Sequence, residues 1–471
     1  MKNLLNLLFI TIFSLNLFAQ NKIKDQISIL LEDSLFKSSM AAIEVYDLSK
    51  KETLFEKNSE LLLHPASNMK ILTTSAGLYF LGPDYNFETA LFHTGQIRRS
   101  TLKGSLYILG GGDPDFTTGD LDSLILSLKR QGIKKITGNI YADLSFTDSL
   151  FWGKGWMWDD DPSTDAPYLS ALNINKNSVI TIAEPGENGK KAKVKTIPES
   201  KFFKIINHSV TVSDKSLSSF DMQRNWISRR NAIVAKGNFY SGSEPEAIQM
   251  NVYNPAQYFL TLFTEKLREN KISFHGKLKI SSVPTDTTRL YTFKRPYSNV
   301  IMGLNKNSDN LSAEMVLRAL SVKYFGRPAN ADNGIKIVDS LITLSGLDYK
   351  SYRIVDGSGV SHYNLINAHL LLNVLRFIYQ NRPELFNILY NSFPVAGVDG
   401  TLRERMKSGN AFSNVHAKTG TISGVSCLSG YAKSKSGHLL AFSLMFQNYA
   451  GSSSRAVKIQ NDICQILSEY E

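Results

Sequence analysis

The chain of 471 residues is long enough for two or three domains, and its 42% hydrophobic and 20% charged residues are typical of globular proteins. A formal net charge of +11 favours solubility and attraction to anionic envelope polymers or a membrane surface, so peripheral membrane association is one prediction. The sequence contains no recognisable nucleic-acid-binding module, which argues against nucleic acid as a partner.

The first 19 residues are predicted to be a secretory signal peptide. Lys2 gives a positively charged start, an apolar run covers Leu4–Phe18, and Ala19 is a small residue before the expected cleavage site. An uncleaved membrane anchor is the alternative, but the run is short and interrupted by polar residues. The mature protein is therefore expected to be exported to the periplasm.

The two cysteines, Cys427 and Cys464, are the only candidates for a disulfide. Export would permit the bond, but their strand-like and helix-like surroundings favour two buried free thiols. No group of Cys and His residues has metal-ligand spacing, so we expect no structural zinc and no cofactor.

The N-terminal part of the mature chain predicts a helix, a β-hairpin and a second helix. The first helix is expected over Lys24–Phe36 and the hairpin over Met40–Asp47 and Lys51–Glu56. The second helix begins near Ser67, carries apolar residues at helical spacing and ends before Gly82-Pro83, a strong stop signal.

Strand-like patterns dominate from about residue 86 to 283, and helical patterns return after Tyr297. The middle of the chain predicts strands over Leu106–Leu109, Val179–Ile182, Ala192–Ile197, Ser209–Val212, Ala232–Gly237 and Ala247–Val252, with helices over Leu121–Gln131 and Pro255–Asn270. The last part predicts an amphipathic helix over Asn310–Phe325, helices over Ile335–Ser345 and Ala368–Gln380, a hairpin over Val425–Ala432 and His438–Gln447, and a final helix over Ser453–Ser468. This order predicts an α/β (α+β) fold in which both chain ends build an antiparallel sheet flanked by helices.

Ser67 and Lys70 form the first candidate catalytic pair, because residues three apart share one face of a helix. A serine hydroxyl is a weak nucleophile until a base takes its proton, and a lysine amine can be that base only if its pKa is lowered. The positive field and free N–H groups at a helix N-terminus would stabilise the developing negative charge. The alternative for Ser67 alone is a helix N-cap.

Ser308-Asp309-Asn310 stands directly before a predicted helix and is the second candidate group. A serine hydroxyl can relay a proton between a base and a leaving amine, and an asparagine amide can hold a peptide group in a fixed orientation. Ordinary helix capping is the alternative.

The run from His416 to Thr421 reads as a strand that would pair with the C-terminal hairpin. Lys418 and Thr419 could bind a carboxylate, and Gly420 would let a substrate backbone approach closely. Lys418 near Lys70 would also lower the pKa of Lys70 by like-charge repulsion and desolvation. A polar edge strand is the alternative.

Taken together, Ser-x-x-Lys, Ser-Asp-Asn and Lys-Thr-Gly in this order resemble the motifs of the penicillin-recognising serine acyltransferases. The long interval between Lys70 and Ser308 does not fit a compact β-lactamase, so an insertion is expected there. Further runs are similar to the D-alanyl-D-alanine carboxypeptidase/endopeptidase family, the class C low-molecular-mass penicillin-binding proteins, at Leu106–Asp113, Ser170–Val179, Asp356–Leu365 and Gly397–Arg405.

The resemblance implies a transpeptidase-like domain over 20–85 and 286–471, with two mostly β subdomains inserted at 86–285. It also implies the roles of the motif residues. Ser67 would be the acylated nucleophile, Lys70 its base and Ser308 the proton relay to the departing D-alanine. Asn310 would hold the substrate amide, Lys418 would complete the electrostatics, and Thr419 and Thr421 would contact the terminal carboxylate. The backbone N–H groups of Ser67 and Thr421 would form the oxyanion hole.

A less specific likeness concerns the segment Trp156–Asp160, which resembles a family segment whose aspartate contacts the amino group of a diaminopimelate side chain. Asp160 is the first candidate for that substrate contact and Asp159 the second. The alternatives are an acidic turn before Pro162 and a calcium-binding loop. His64, His362 and His416 lie near the motifs but are interpreted as structural, since a Ser/Lys mechanism needs no histidine.

The function implied is a serine DD-peptidase that cleaves peptidoglycan stem peptides, either as a carboxypeptidase or at cross-links as an endopeptidase. β-Lactam antibiotics would acylate Ser67 as inhibitors. Two alternatives remain open on the same fold. A β-lactamase would share the acylation step but hydrolyse the acyl-enzyme quickly, and an envelope-binding protein would have no catalytic activity.

Overall fold

The structure is a computed structural model that describes residues 22–471, so the predicted signal peptide lies outside the described residues. It contains two compact units. We call the first the terminal unit; it comprises the described residues up to Asp84, Ile301–Asp309 and Ala331–Glu471. We call the second the inserted unit; it comprises Tyr85–Val300 and Asn310–Asn330. The expected boundaries at 86–285, and the division of that stretch into two subdomains, stay predictions.

Five antiparallel strands form the central sheet of the terminal unit. Their order across the sheet is Glu52–Lys57, Met40–Asp47, Leu439–Gln447, Val425–Lys433 and His416–Ile422. The pairing of Met40–Asp47 with Leu439–Gln447 confirms that both chain ends build one sheet. The predicted strand with the Lys-Thr-Gly motif lies at the edge of the sheet, where it pairs with Val425–Lys433.

Helices cover both faces of the central sheet. Successive side chains of a strand point to opposite faces, so both sets of side chains are buried. On one face, Val45 and Phe442 pack in a cluster with Ile27 of the helix over residues 22–30 and Ile463 of the C-terminal helix. On the other face, the helix Ala368–Asn381 contacts the sheet through polar groups: His369 Nδ1 lies 2.9 Å from Glu44 Oε2, and the Tyr431 hydroxyl donates to the Leu375 carbonyl at 2.9 Å. The predicted α/β class is therefore confirmed.

The α-helices of the chain beyond residues 22–30 are Met69–Ala76, Leu121–Arg130, Pro255–Glu269, Tyr297–Lys306, Asn310–Phe325, Ala331–Leu344, Ala368–Asn381, Pro383–Ser392 and Ser454–Glu469. The helix predicted to begin near Ser67 is found as one helical stretch: a 3-10 turn over Ala66–Asn68, the α-helix and a π-turn over Gly77–Leu81 that ends at Gly82. Pro383–Ser392 was not predicted, although proline at the first helical position is a known start signal.

The inserted unit consists of five small sheets with helices packed on them. Two sheets have three strands each, in the spatial orders Lys193–Ile197, Ser178–Glu184, Glu246–Asn251 and Lys204–Asn207, Ala232–Lys236, Asp221–Arg224. A third sheet has two strands, Val210–Val212 and Asn238–Tyr240, and a fourth has four, in the order Ser273–Phe274, Lys135–Ile136, Thr101–Lys103, Gln96–Arg98. The fifth sheet has five strands, in the order Leu278–Ile280, Ile140–Asp143, Leu106–Gly110, Asn86–His93, Thr288–Pro296. All six strands predicted from the sequence are present. Leu124 and Phe259, from the two predicted helices, share one buried cluster with Ile108.

The helix Asn310–Phe325 differs from its predicted amphipathic character. Every residue from Asn310 to Ser321 is buried, including the charged pair Glu314 and Arg318. Arg318 Nη1 lies 3.0 Å from Glu314 Oε2, and this pairing lets both charges leave the solvent. The prediction of an amphipathic helix is therefore wrong over this stretch, because the sequence pattern does not reveal that its charged residues pair with each other.

Replacing Leu444 by alanine tests the central sheet. Leu444 is fully buried, and the variant is expected to lose about 2–5 kcal/mol in the free energy of unfolding. The matched control is Leu344→Ala, because Leu344 is 50% exposed in the same unit. Urea unfolding followed by far-UV circular dichroism measures the difference. Equal midpoints for both variants would contradict the placement of Leu444 in the core.

Candidate active site

Ser67 and Lys70 meet at the start of the helix, as predicted. Lys70 Nζ donates a hydrogen bond to Ser67 Oγ at 2.9 Å, and Lys70 is fully buried while Ser67 keeps partial access to solvent. Ala66, directly before Ser67, has a φ of 45°, a left-handed conformation that a side chain disfavours. Such local strain is common where a backbone must present a reactive group.

A loop that the sequence did not assign a role holds the other side of the Lys70 amine. Lys70 Nζ also donates to the Ser358 carbonyl at 2.6 Å. The buried Asp356 carboxylate organises this loop by accepting from the Gly359 N–H at 2.9 Å and from Asn364 Nδ2 at 2.7 Å. The only sign of this role in the sequence was the acidic residue within an Asp-Gly-Ser-Gly run.

Gly359 is required where this loop passes the helix start. It has a φ of 85°, and a Cβ there would lie 1.8 Å from the Ala66 carbonyl oxygen. The loop and the turn that carries Ser67 are therefore fixed against each other by direct backbone contact.

Ser308 and Lys418 form a second pair of hydroxyl and amine. Lys418 Nζ donates to Ser308 Oγ at 2.9 Å and to the Thr419 carbonyl at 2.8 Å. Ser308 itself has a φ of 58°, again the left-handed region. Burial, and after it the repulsion from Lys70, lowers the pKa of Lys418 well below its ordinary value. Since that repulsion is mutual, it also disfavours a positive charge on Lys70.

The edge strand His416–Ile422 runs directly beside the start of the Ser67 helix. A Cβ on Gly420 would lie 2.7 Å from the Pro65 carbonyl oxygen and 3.1 Å from the Ser67 nitrogen. The close approach that Gly420 permits in this structure is thus to the chain's own backbone, whereas the sequence suggested an approach of substrate.

Thr419 and Thr421 share the more exposed face of the edge strand, and Lys418 and Gly420 are buried. Thr419 Oγ1 donates to Thr401 Oγ1 at 2.8 Å, which adds a hydroxyl that the sequence did not indicate. Two threonine side chains at alternate positions on one strand can both reach a carboxylate lying along it.

Two candidates belong to the inserted unit. Asn310 begins the helix Asn310–Phe325, and its amide donates to the Asp165 carbonyl at 2.6 Å. Asp160 is half-buried in a 3-10 turn, and its carboxylate accepts from the Met157 N–H at 2.8 Å. This local hydrogen bond is what an acidic turn would make. Within residues 22–471 no group of His, Cys, Asp and Glu side chains could hold a metal ion.

The carboxylate next to Asp160 is the buried one. Asp161 accepts a hydrogen bond from the Tyr168 hydroxyl at 2.8 Å and pairs with the buried Arg224 guanidinium. The sequence did not single out Asp161, since three consecutive aspartates give no sign of which one a distant arginine will neutralise.

The histidines near the motifs contact backbone carbonyls or each other. His64 Nδ1 lies 3.1 Å from the Asn364 carbonyl, and the His362 ring lies 5.8 Å from the His64 ring. His416 Nδ1 lies 3.2 Å from the Tyr390 carbonyl, and burial lowers the pKa of His416. The two cysteines are free and buried, as predicted.

Sequence and structure comparisons agree on one family. The profile of the D-Ala-D-Ala carboxypeptidase 3 (S13) family matches residues 23–470. D-alanyl-D-alanine carboxypeptidase DacB of Haemophilus influenzae is 30% identical over 442 residues, which are 93% of this chain and 90% of that protein. The crystal structure of penicillin binding protein 4 (dacB) from Haemophilus influenzae matches with a TM-score of 0.84 at 28% identity, covering 94% of this chain and 99% of that one.

A second crystal structure of the Haemophilus influenzae protein, complexed with a β-lactam, matches with a TM-score of 0.78 at 26% identity. It covers 94% of this chain and 99% of that one. The resemblance noted in the sequence is therefore confirmed over nearly the whole described chain. With Ser67 and Lys70 joined by a hydrogen bond within it, this chain belongs to the D-Ala-D-Ala carboxypeptidase (S13) family of serine peptidases.

Proposed function

We propose that Ser67 is the nucleophile of this carboxypeptidase and Lys70 its general base, acting on peptidoglycan stem peptides in the periplasm. The observation that carries the proposal is the 2.9 Å hydrogen bond from Lys70 Nζ to Ser67 Oγ. The fully buried amine is held in line with the hydroxyl by the Ser358 carbonyl. An unprotonated Lys70 can take the Ser67 proton as Oγ attacks the D-Ala-D-Ala carbonyl.

The remaining groups complete the acylation step. The Ser67 Oγ–carbon bond forms, the peptide carbon–nitrogen bond breaks, and Ser308 passes the proton to the departing D-alanine amine. Lys418 holds Ser308 through their 2.9 Å hydrogen bond. The N–H groups of Ser67 and Thr421 stabilise the oxyanion. Water then hydrolyses the acyl-enzyme and releases the shortened peptide.

Substrate contacts come from four further side chains in this proposal. Thr419 and Thr421 bind the terminal carboxylate, and Asn310 orients the peptide amide. Asp160 binds the free amino group of a diaminopimelate side chain. In a cross-link, the leaving group is the amine on the D-configured carbon of the neighbouring peptide's side chain. The same reaction then cleaves the cross-link, which is endopeptidase activity. A β-lactam acylates Ser67 as an inert mimic, supported by the β-lactam complex of the similar Haemophilus influenzae protein.

Fluorescent penicillin tests the acyl-enzyme. We expect a stable label on the wild-type protein and none on Ser67→Ala, because the hydroxyl that forms the ester is gone. Ser75→Ala is the matched control: Ser75 lies buried in the same helix, and its hydroxyl has no hydrogen-bond partner among the described residues. Labelling that persists in Ser67→Ala would move the nucleophile elsewhere.

A wild-type protein without label would separate the two alternatives. Rapid hydrolysis of a chromogenic β-lactam would then identify a β-lactamase. No lactam hydrolysis, together with no turnover of D-Ala-D-Ala peptides, would indicate a binding protein without activity.

The pH dependence of acylation tests the coupling of the two lysines. Burial, and after it the charge of Lys70, lowers the pKa of Lys418, and this repulsion acts on both amines. As pH falls, the second proton binds, Lys70 loses its basic form and the acylation rate drops. Lys418→Met removes the repulsion, so Lys70 keeps its proton to higher pH. The acid limb of the rate profile should move up by about one pH unit or more.

The control for this shift is Lys418→Arg, which keeps the positive charge. Its overall rate will fall with the altered contact to Ser308, but its acid limb should stay below that of Lys418→Met. Identical acid limbs in wild type and Lys418→Met would show that the two amines do not influence each other.

Paired peptide substrates test the proposed substrate contacts. Purified wild-type protein is expected to release D-alanine from a pentapeptide and to split a D-centre cross-linked dimer. Asp160→Asn should raise KM roughly tenfold for peptides with a free side-chain amine, as expected for losing a charged hydrogen bond. The KM for peptides whose side-chain amine is acetylated should stay the same in Asp160→Asn. Asp159→Asn is the matched control, and a larger effect of Asp159→Asn would reverse the assignment.

A further inference from the structure

All four tryptophans of the chain surround one pocket in the inserted unit. Trp152, Trp156 and Trp158 come from one segment, and Trp226 comes from a turn after the strand Asp221–Arg224. The Trp158 and Trp226 rings lie 5.2 Å apart, and the Trp152 and Trp156 rings 5.5 Å. The pocket has a volume of about 230 Å³, and its other lining residues are Asp161, Tyr168, Ile227 and Arg229.

The rim of this pocket exposes large apolar side chains. Trp158 is 72% exposed and Ile227 is 77% exposed. Keeping such surface in water is unfavourable by about 25 cal/mol per Å². Exposed apolar side chains gathered at the mouth of a concave site are typical of ligand binding.

The charges around the pocket disfavour a cationic ligand. The Asp161 carboxylate is neutralised by Arg224 and accepts a hydrogen bond from the Tyr168 hydroxyl. The Arg229 guanidinium already lies over the Phe151 ring, 5.5 Å from its centre. An aromatic site that holds a cation needs unoccupied ring faces without a competing positive charge. The pocket therefore suits an uncharged group with an apolar face.

A larger cavity adjoins the aromatic pocket, and Tyr168 lines both. Its volume is about 460 Å³. Its lining combines apolar side chains, among them Leu144, Leu150 and Leu169, with hydroxyl, amide and carboxylate groups from Thr147, Asp148, Ser149, Ser170 and Asn254. Such groups donate and accept hydrogen bonds without contributing a strong net charge. The two cavities together fit an elongated ligand of linked rings that carry hydroxyl and amide groups.

We propose that this pair of cavities binds the glycan strand of peptidoglycan, with one N-acetylhexosamine ring stacked on Trp158. The C–H face of a pyranose ring is weakly positive and is attracted to the negative face of an indole. The polar side chains of the larger cavity bind the hydroxyl and acetamido groups of the next ring. The inference rests on the proposed function only in that the stem peptides are attached to this glycan.

Docking on an anionic membrane is the other use of an exposed tryptophan rim; the exposed Arg229 and Arg230 near Trp226 would favour it, whereas the carboxylates beside Trp158 oppose it. Asp159 and Asp160 directly follow Trp158, and Asp159 is exposed. Anionic head groups would repel these carboxylates at the position where Trp158 would enter the interface.

Tryptophan fluorescence tests the proposal directly, since every tryptophan lies at this pocket. The probe is the β-1,4-linked tetramer of N-acetylglucosamine, titrated into the full mature protein. A saturable change in emission is expected. Binding should weaken at least tenfold in Trp158→Ala and in Trp226→Ala. The control is Ile280→Ala, because Ile280 is 62% exposed in the same unit but lines neither cavity, and its binding should equal that of wild type.

Thermal unfolding of each variant shows that it is folded. No saturable change in the wild-type protein would overturn the proposal, and so would equal binding by Trp158→Ala. Vesicles containing anionic lipid form the second probe: binding to vesicles but not to the tetramer would overturn it in favour of membrane docking. Labelling of the same sample with fluorescent penicillin separates the two proposals. Label without glycan binding rejects only this inference, and glycan binding without label rejects only the proposed peptidase mechanism.

Discussion

The burial of two lysine amines in one site is the constraint on which the arrangement around Ser67 and Ser308 depends. Lys70 and Lys418 are both fully buried, and their hydrogen-bond acceptors include the Ser67 and Ser308 hydroxyls and backbone carbonyls. Burial, and after it the repulsion from Lys70, keeps the pKa of the Lys418 amine well below its ordinary value. Each of the two hydroxyls thus lies beside a buried amine.

Holding these amines in place requires backbone conformations that are unfavourable by themselves. Ala66 and Ser308 both have positive φ values, and Gly359 and Gly420 sit where a Cβ would strike neighbouring backbone. Such strain persists only where surrounding packing determines the geometry. The central sheet supplies that packing, because Asn68 of the helix start donates to Ser429 at 2.7 Å on a strand that is buried from Val425 to Ala432.

The inserted unit follows a different physical logic. Two of its buried arginines are neutralised by carboxylates: Arg224 pairs with Asp161, and Arg318 pairs with Glu314. Its exposed side chains at the tryptophan pocket include the aromatic Trp158 and the apolar Ile227, beside the exposed Arg229. The terminal unit thus supplies groups suited to covalent chemistry on a peptide, and the inserted unit supplies surfaces suited to recognising an uncharged polymer.

The sequence by itself determined the local elements and the reactive groups. Hydrophobic periodicity and the residues that end helices and strands predicted the Ser67 helix, the strand Met40–Asp47 and the C-terminal hairpin. These elements could be predicted because their formation depends on residues only a few positions apart in the chain. The order of the three motifs then identified the family. Only the tertiary structure revealed the Asp356 loop behind Lys70, the neutralisation of Asp161 by Arg224, and the meeting of Trp158 with Trp226. Each joins segments distant in the chain, and no local pattern encodes which distant side chains will pack together.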